Sequence, residues 1–329
     1  MTAEPAAVDD DPAPLQPILV VLVWRGGERF ARCLDSIGPA IHRFSRVILS
    51  VTAAADSDDM IRATSFRDQY PHVEVVCTLR ELPTMQHQAF WINYLERSGA
   101  QKTDWIYWLA YDDQIRLAGI DNLVDEQGNW PLTPGTAYLG PWAMRHEQPD
   151  TLFDGPWDLD MESWTAFPVD GPCELPVTKW IGQQLLQPTY IQMSGSVITF
   201  ASHRHVVRSH PHKKGPMRIE MATAAARNNL TVAEFPEPIS IIYGRSNSDR
   251  ASYGKSARSE DIHLIAWLTR YAARHRKAWR DLFSTTRRGL RIYVDARRGR
   301  CPLPTEEWRV RGWVPQDSPR LTLDPEVTI

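Results

Sequence analysis

The chain has 329 residues, of which 43% are hydrophobic and 23% charged, and its 37 basic and 40 acidic side chains give a formal net charge of −3. This is the composition of an ordinary globular protein with a sizeable core, formed by about two folding units or one large α/β unit. The longest strongly apolar run, residues 18–24, is far shorter than the roughly 20 residues that cross a bilayer, which excludes a membrane-spanning helix. The first 16 residues lack the basic start and the apolar stretch of a signal peptide, so we expect a disordered tail on a cytoplasmic protein.

The first half of the chain alternates predicted strands with predicted helices. Apolar runs without alternation predict strands buried on both faces, at residues 18–23, 47–51, 73–77 and 105–110. Helices are predicted between them, at residues 28–37 with a stop at Gly38-Pro39, at residues 58–68, and around Phe90 and Leu95. This order predicts an α/β fold with a doubly wound, mostly parallel sheet and helices on both of its faces.

The residues that directly follow the predicted strands are the first candidates for function, because ligands of such sheets bind at the carboxyl ends of the strands. Three of these ends carry Trp24-Arg25, Thr52 and Asp112-Asp113. The turn after the first strand does not match GxGxxG, and no Walker lysine follows any strand. NAD chemistry and P-loop ATP chemistry are therefore not expected.

Asp112 and Asp113 form an acidic pair at the end of the fourth predicted strand. Adjacent carboxylates repel each other, and their hard oxygens suit Mg²⁺ or Mn²⁺ as a neutralising cation. The alternative is a solvated turn that caps the next helix. The buried strand that leads into the pair favours a metal site, because a solvated turn does not need so buried an approach.

A series of segments, in the correct order between residues 17 and 252, resembles the family 2 glycosyltransferases with the GT-A fold. Residues 17–24 and 32–37 resemble the opening strand and helix of that family, and residues 105–115 are similar to the strand that ends in its DxD-type motif. Residues 193–200 resemble its acceptor-side segment. The remaining segments, 219–227, 232–238 and 243–245, are similar to its catalytic stretch.

The resemblance implies a GT-A-type, metal-dependent and inverting hexosyltransferase. Such an enzyme moves a sugar from a nucleoside-diphosphate donor to a hydroxyl of a glycan, a glycolipid or a small metabolite, which is free or attached to a membrane. Asp113 would ligate Mn²⁺ or Mg²⁺ on the donor diphosphate, and Asp112 would contact the ribose or the sugar. Glu220 is the expected catalytic base, and Arg245 would neutralise the diphosphate or form a structural salt bridge.

The donor-binding residues expected from the strand ends are Trp24, Arg25 and Thr52. The chain departs from the family at Thr52-Ala53, where relatives carry an acidic pair that reads the base, so the base of the donor stays open. Met221 replaces the second acid of the pair that begins with Glu220. Two alternatives therefore remain, a nucleotidyltransferase on a similar sheet and a catalytically inactive relative that binds nucleotide or glycan.

Four parts are predicted along the chain. They are a disordered tail (1–16), a nucleotide-sugar-binding half (17–130), an acceptor-binding and catalytic half (131–252) and a basic helical C-terminal extension (253–329). Residues 251–300 carry 13 Lys and Arg against 4 Asp and Glu. This surface is expected to meet the inner face of a membrane or to be a solvated face, and a nucleic-acid partner is not expected.

Two HxH pairs follow the acceptor-side segment, with histidines at positions 203, 205, 210 and 212. Such a set can hold Zn²⁺. The neighbouring arginines and lysines favour a different interpretation, a basic helix-to-loop surface whose solvated loop closes over the donor phosphates.

Overall fold

A computed structural model describes residues 15–79, 82, 84–139, 142–146, 163–165, 175–176, 194–209, 231–233, 235 and 239–244. The helices in these ranges are α1 (Gly27–Ala40), α2 (Asp58–Gln69), α3 (Thr84–Arg97), α4 (Leu117–Asp121) and α5 (Phe200–Ser209). The strands are β1 (Ile18–Val23), β2 (Arg46–Thr52), β3 (Val73–Thr78), β4 (Trp105–Ala110), β5 (Gln114–Ile115), β6 (Thr136–Leu139), β7 (Trp142–His146), β8 (Ser163–Thr165), β9 (Leu175–Pro176), β10 (Ser196–Thr199), β11 (Thr231–Ala233) and β12 (Ser240–Gly244).

An eight-stranded sheet forms the centre of the fold, with the strand order β3-β2-β1-β4-β10-β6-β11-β9. The pairs β3-β2, β2-β1 and β1-β4 are parallel, whereas β10 runs antiparallel to both β4 and β6. A smaller sheet has the order β5-β12-β7-β8. The predicted α/β fold with a mostly parallel sheet is confirmed, and this sheet is continuous across the predicted domain boundary at residue 130.

Helices cover both faces of the large sheet. Every residue of β1 is buried, and alternate residues of a strand point to opposite faces. Leu19 and Val21 belong to a core cluster with Phe30 of α1 and Phe66 of α2. On the other face, the Ser50 hydroxyl of β2 lies 2.9 Å from His87 Nε2 of α3, and α5 packs against α3.

The four predicted strands agree with β1 to β4 to within one residue at each end. Helix α1, by contrast, continues beyond its predicted stop at Gly38-Pro39 and ends at Ala40. Pro39 stands in the last turn, where its missing N–H removes only one helical hydrogen bond, and its fixed φ suits a helix. The chain then tightens into a 3₁₀ turn at Ile41–Arg43, and Ile41 N–H donates to Gly38 O.

Two of the predicted parts fall mainly outside the described residues. These are the tail, apart from residues 15 and 16, and the whole basic C-terminal extension. Within the described ranges, no helix has the length and apolar character that crossing a membrane requires.

Candidate active site

The strand order creates a topological switch point between β1 and β4. Helices α1 and α2, which follow β1 and β2, cover one face of the sheet, whereas α3, which leads into β4, covers the other. Where neighbouring connections diverge in this way, a crevice opens at the carboxyl ends of the strands, and ligands of open α/β sheets bind there. Tyr111 N–H donates to Leu22 O at 3.1 Å and joins the two strand ends beside this crevice.

The residues predicted after β1 and β4, namely Trp24, Arg25, Asp112 and Asp113, stand at these two neighbouring strand ends. Trp24 is 40% exposed, and the Arg25 guanidinium carbon lies 5.2 Å from the centroid of its ring. Arg25 has a φ of 52°, in the left-handed region that a residue with a side chain enters at a cost of about 1–2 kcal/mol. Strained backbone of this kind clusters at functional sites.

The two aspartates of the pair differ in their surroundings. Asp113 is 7% exposed, and its N–H donates to Ala110 O at 3.1 Å in a tight turn. Burial raises the pKa values of Cys33 and Tyr107, and the negative charge of Asp113 raises both further. Asp113 therefore lies towards the α1 side of the sheet, whereas Asp112 is only partly buried and is the more accessible carboxylate.

Thr52 lies at the carboxyl end of β2, as predicted, but its hydroxyl is turned inward. The residue is 1% exposed, and its Oγ1 donates to Val23 O at 3.4 Å. This contact ties the ends of β1 and β2 together. Thr52 can shape the crevice through the backbone, whereas a direct hydrogen bond to a ligand would require the hydroxyl to turn.

Sequence reasoning missed Asp59, which lies in the first turn of α2 and is 6% exposed. Its carboxylate accepts hydrogen bonds from Gly26 N–H and Gly27 N–H, both at 2.8 Å, and so caps the N-terminus of α1. In the sequence, Asp58 and Asp59 are typical of any helix start, so nothing marked the second one. The N-terminus of α1 is thus occupied by a carboxylate of the chain itself, and a ligand phosphate needs another source of positive charge.

The carboxylates at the crevice fit a divalent cation that arrives with a phosphate ligand. Within the described part of the chain, no three His, Cys, Asp or Glu side chains form a metal cluster. Asp112 and Asp113 can supply one or two carboxylates. Mg²⁺, and Mn²⁺ with it, suits this number, because substrate phosphates and water complete its coordination.

The predicted basic helix-to-loop surface is helical over residues 203–209, which belong to α5, and its predicted loop over the donor phosphates lies outside the described residues. Two residues along a helix are turned by about 200°, so His203 and His205 point to opposite sides and cannot share a metal ion. His203 is fully buried edge-on to Trp91, with ring centroids 5.6 Å apart. The buried residues Val206 and Val207 complete the apolar face that holds this helix against the sheet.

Several predicted site residues lie outside the described residues. They are Glu220, Arg245, His210 and His212.

The start of β10 closes the crevice on the side away from β1. Ser194 Oγ accepts a hydrogen bond from Ala110 N–H at 2.9 Å, and Gly195 N–H donates to Trp108 O at 2.9 Å. Both contacts hold the end of β4, directly before the aspartate pair. Gly195 has a φ of +80°, and a Cβ there would lie 2.2 Å from Ser240 Oγ and 3.0 Å from Ser240 Cβ.

Gly195→Ala is expected to lower the free energy of unfolding by about 2–3 kcal/mol, because the left-handed backbone and the overlap with Ser240 both oppose the methyl group. Gly135→Ala is a matched control, since Gly135 has a φ of +81° and no heavy atom within 4 Å of the added Cβ. For the control we expect a loss of about 1 kcal/mol in the free energy of unfolding, measured by urea unfolding. Equal losses in the two variants would contradict a role for the contact with Ser240.

A cavity of about 490 Å³ lies at the opposite end of β4, away from the aspartate pair. It is lined by Glu96, Phe200, Arg204 and the turn at residues 100–103. Lys102, Arg204 and Arg208 outnumber Glu96 here, so the positive charge at this cavity exceeds the negative charge. Both arginines pair with Glu96, which leaves no carboxylate pair like that of Asp112 and Asp113 among the described residues of this cavity to hold a divalent cation.

Comparisons with known proteins assign the chain to no family. No family model matches the sequence, and no curated protein matches it. Among solved structures, Staphylococcus aureus TarS in complex with UDP-GlcNAc aligns with a TM-score of 0.39 and 7% identity, over 72% of this chain and 61% of that one. Residues 1–349 of S. aureus TarS align with a TM-score of 0.37 and 10% identity, over 85% and 82% of the two chains. The enzyme 4-diphosphocytidyl-2C-methyl-D-erythritol synthase aligns with a TM-score of 0.37 and 10% identity, over 74% and 99%.

Proposed function

We propose that the protein is a metal-dependent glycosyltransferase that moves a sugar from a nucleoside diphosphate to an acceptor hydroxyl. One observation carries the proposal. Trp24 and Arg25 after β1 and Asp112 and Asp113 after β4 flank the switch point of a mostly parallel sheet. An aromatic ring, a guanidinium and a carboxylate pair suit the three parts of such a donor, which are its base, its phosphates and the cation on those phosphates.

The charge balance at the crevice supports a cation-held diphosphate. Asp59 already accepts hydrogen bonds from Gly26 N–H and Gly27 N–H at the start of α1, so these two amides are not available to phosphate. Arg25 supplies one positive charge at the crevice, while the leaving nucleoside diphosphate gains negative charge as its bond to the sugar breaks. A divalent cation held by the aspartates stabilises that charge when it is bound.

The resemblance to the glycosyltransferase family implies that Asp113 is the metal ligand and that Asp112 contacts the ribose or the sugar. Because Asp112 is more accessible than Asp113, we assign the direct contact with the cation to Asp112. Asp113 then orients the turn and adds negative charge from its buried position. In an inverting transfer the acceptor oxygen attacks the anomeric carbon as the diphosphate leaves, and the acceptor proton passes to a base. Glu220 is our candidate for this base, and Arg245 is a candidate partner of the diphosphate.

A nucleotidyltransferase is less well supported than a glycosyltransferase. That reaction usually relies on a glycine-rich loop with basic residues, which wraps the triphosphate after the first strand. In this chain β1 ends at Val23 and α1 begins at Gly27. The short turn between them offers one basic side chain, that of Arg25.

Thermal unfolding tests the donor site, using UDP, GDP and dTDP, each with and without Mn²⁺. We expect at least one nucleotide to raise the unfolding temperature when Mn²⁺ is present, and Mn²⁺ alone to have little effect, because the chain supplies only part of the metal ligands. Asp112→Ala is expected to weaken metal-dependent nucleotide binding about tenfold or more, with Asp113→Ala tested beside it.

Asp68→Ala is the matched control, since Asp68 is an exposed aspartate near the far end of α2. It should bind nucleotide as the unmodified protein does. Slow hydrolysis of a nucleotide sugar in the presence of Mn²⁺ would then separate an enzyme from an inactive binding protein. Metal-dependent binding that survives in both crevice variants would contradict the proposed site.

A further inference from the structure

Exposed apolar side chains border the crevice on the side of β3. Trp24 directly follows β1 and is 40% exposed, and Leu79 directly follows β3 and is 70% exposed. Between them, β2 continues into Ala53, Ala54 and Ala55, of which the last two are exposed. We call these five residues the apolar rim. Neighbouring strands lie about 4.8 Å apart, so the two ends of the rim are separated by about 10 Å, enough for one nucleobase.

The polar side chains nearest to the middle of the rim are engaged within the protein. Thr52 Oγ1 donates to Val23 O, and both carboxylate oxygens of Asp59 accept hydrogen bonds from the start of α1. Ser57 Oγ accepts from Met60 N–H at 3.3 Å and caps α2. Among the described residues between β2 and α2, these contacts leave Asp56 as an exposed carboxylate in the turn.

The position of the rim identifies what it would contact. The diphosphate of the proposed donor lies at Asp112 and Asp113, and β10 and β6 extend the sheet from β4 towards the half predicted to bind the acceptor. The nucleoside must therefore extend the other way, over β1 and β2 towards β3. Its base then meets an exposed indole ring, a turn of alanines and a leucine.

We propose that this site holds the donor base by stacking on Trp24 and by apolar contact with the rim, and does not read the edge of the base through a carboxylate. The inference rests on the proposed function. Stacking is tolerant of base identity, because every base has a π-face, whereas a hydrogen bond to a ring N–H is specific. The substrate class is thus a set of sugar nucleotides that differ in their base.

Calorimetric titration of the full chain with nucleoside diphosphates in Mn²⁺ tests this inference. UDP, dTDP and GDP are expected to bind with dissociation constants within about tenfold of one another. The sharper probe is 3-methyluridine diphosphate, which lacks the ring N–H that a carboxylate would accept. We expect it to bind within about threefold of UDP, whereas a carboxylate-read site would lose about 100-fold.

Variants of the rim locate the effect. Trp24→Ala is expected to weaken the binding of all three nucleotides alike, by about tenfold. Trp24→Phe is expected to retain most of the affinity. Leu79→Ala should weaken binding about twofold to threefold. Leu15→Ala is its matched control, because Leu15 is 43% exposed but precedes β1 at the opposite edge of the sheet, and it should change nothing.

Two results would overturn the inference while leaving the proposed function intact. One is binding of UDP with at least 100-fold discrimination against its 3-methyl derivative, above all if Asp56→Ala removes that discrimination. The other is unchanged nucleotide affinity in Trp24→Ala. Failure of all three nucleotides to bind with Mn²⁺ would instead overturn the proposed function, and this inference with it.

Discussion

Asp59→Ala is expected to lower the free energy of unfolding by about 2–3 kcal/mol, since a hydrogen bond to a charged group contributes about 1.5–3 kcal/mol. The variant leaves Gly26 N–H without its acceptor in a buried place, whereas Gly27 is exposed and its N–H can bind water instead. It also releases the turn that presents Trp24 and Arg25. We therefore expect weaker nucleotide binding in the same variant, under conditions in which it is fully folded.

Asp58→Ala is the matched control for this prediction, because Asp58 is the exposed neighbour in the same helical turn. Both replacements remove one negative charge from the start of α2, so this shared effect cancels in the comparison. We expect Asp58→Ala to change the stability by about 0.5 kcal/mol or less in urea unfolding. Asp59→Asn, which keeps one acceptor oxygen, should fall between the two. Similar losses in Asp58→Ala and Asp59→Ala would show that the cap on α1 contributes little.

The sheet could be predicted from sequence because its strands are buried on both faces. Runs such as residues 18–23 and 105–110 have no polar alternation, and buried parallel strands require such runs. The end of α1 was predicted less accurately. A proline in the last turn of a helix is tolerated, because its missing N–H removes only one hydrogen bond there. The antiparallel pairing of β10 with β4 could not be predicted either, because strands so far apart in the chain carry no local sequence pattern that identifies their partner.

The candidate site was predicted in part for the same reason. Strand ends are visible in the sequence, and strand order then brings Trp24 and Asp112 to one crevice. Burial is decided by neighbours distant in the chain, so the difference between Asp112 and Asp113 was not predictable. The burial of His203 was not predictable for the same reason. It depends on the packing of α5 against Trp91 of α3, which is distant in the chain.

Acid is expected to unfold the protein through two buried histidines. Burial lowers the pKa of His203 to about 3 and that of His87 to about 4, although a hydrogen bond with Ser50 opposes the shift of His87. Below the unfolded value, near 6.5, the unfolded chain takes up protons that the folded chain does not. Stability is therefore retained above about pH 6.5 and falls from there to about pH 4, by about 1.4 kcal/mol per pH unit for each histidine.

His203→Phe isolates one of these contributions, because the phenyl ring keeps the edge-on contact with Trp91 but cannot be protonated. Neither ring nitrogen of His203 has a hydrogen-bond partner in the described structure, so the variant loses no bond at neutral pH. Urea unfolding between pH 4 and pH 7.5 should give a slope of stability against pH that is smaller by about 1.4 kcal/mol per pH unit than that of the unmodified protein.

His203→Leu is a second variant, for the case that the phenyl ring, which is larger than imidazole, does not fit the site. It should reduce the slope by the same amount. His72→Phe, the same change at an exposed position, should leave the slope as it was. An unchanged slope in both His203 variants would mean that this imidazole takes up its proton in the folded state, contrary to its burial.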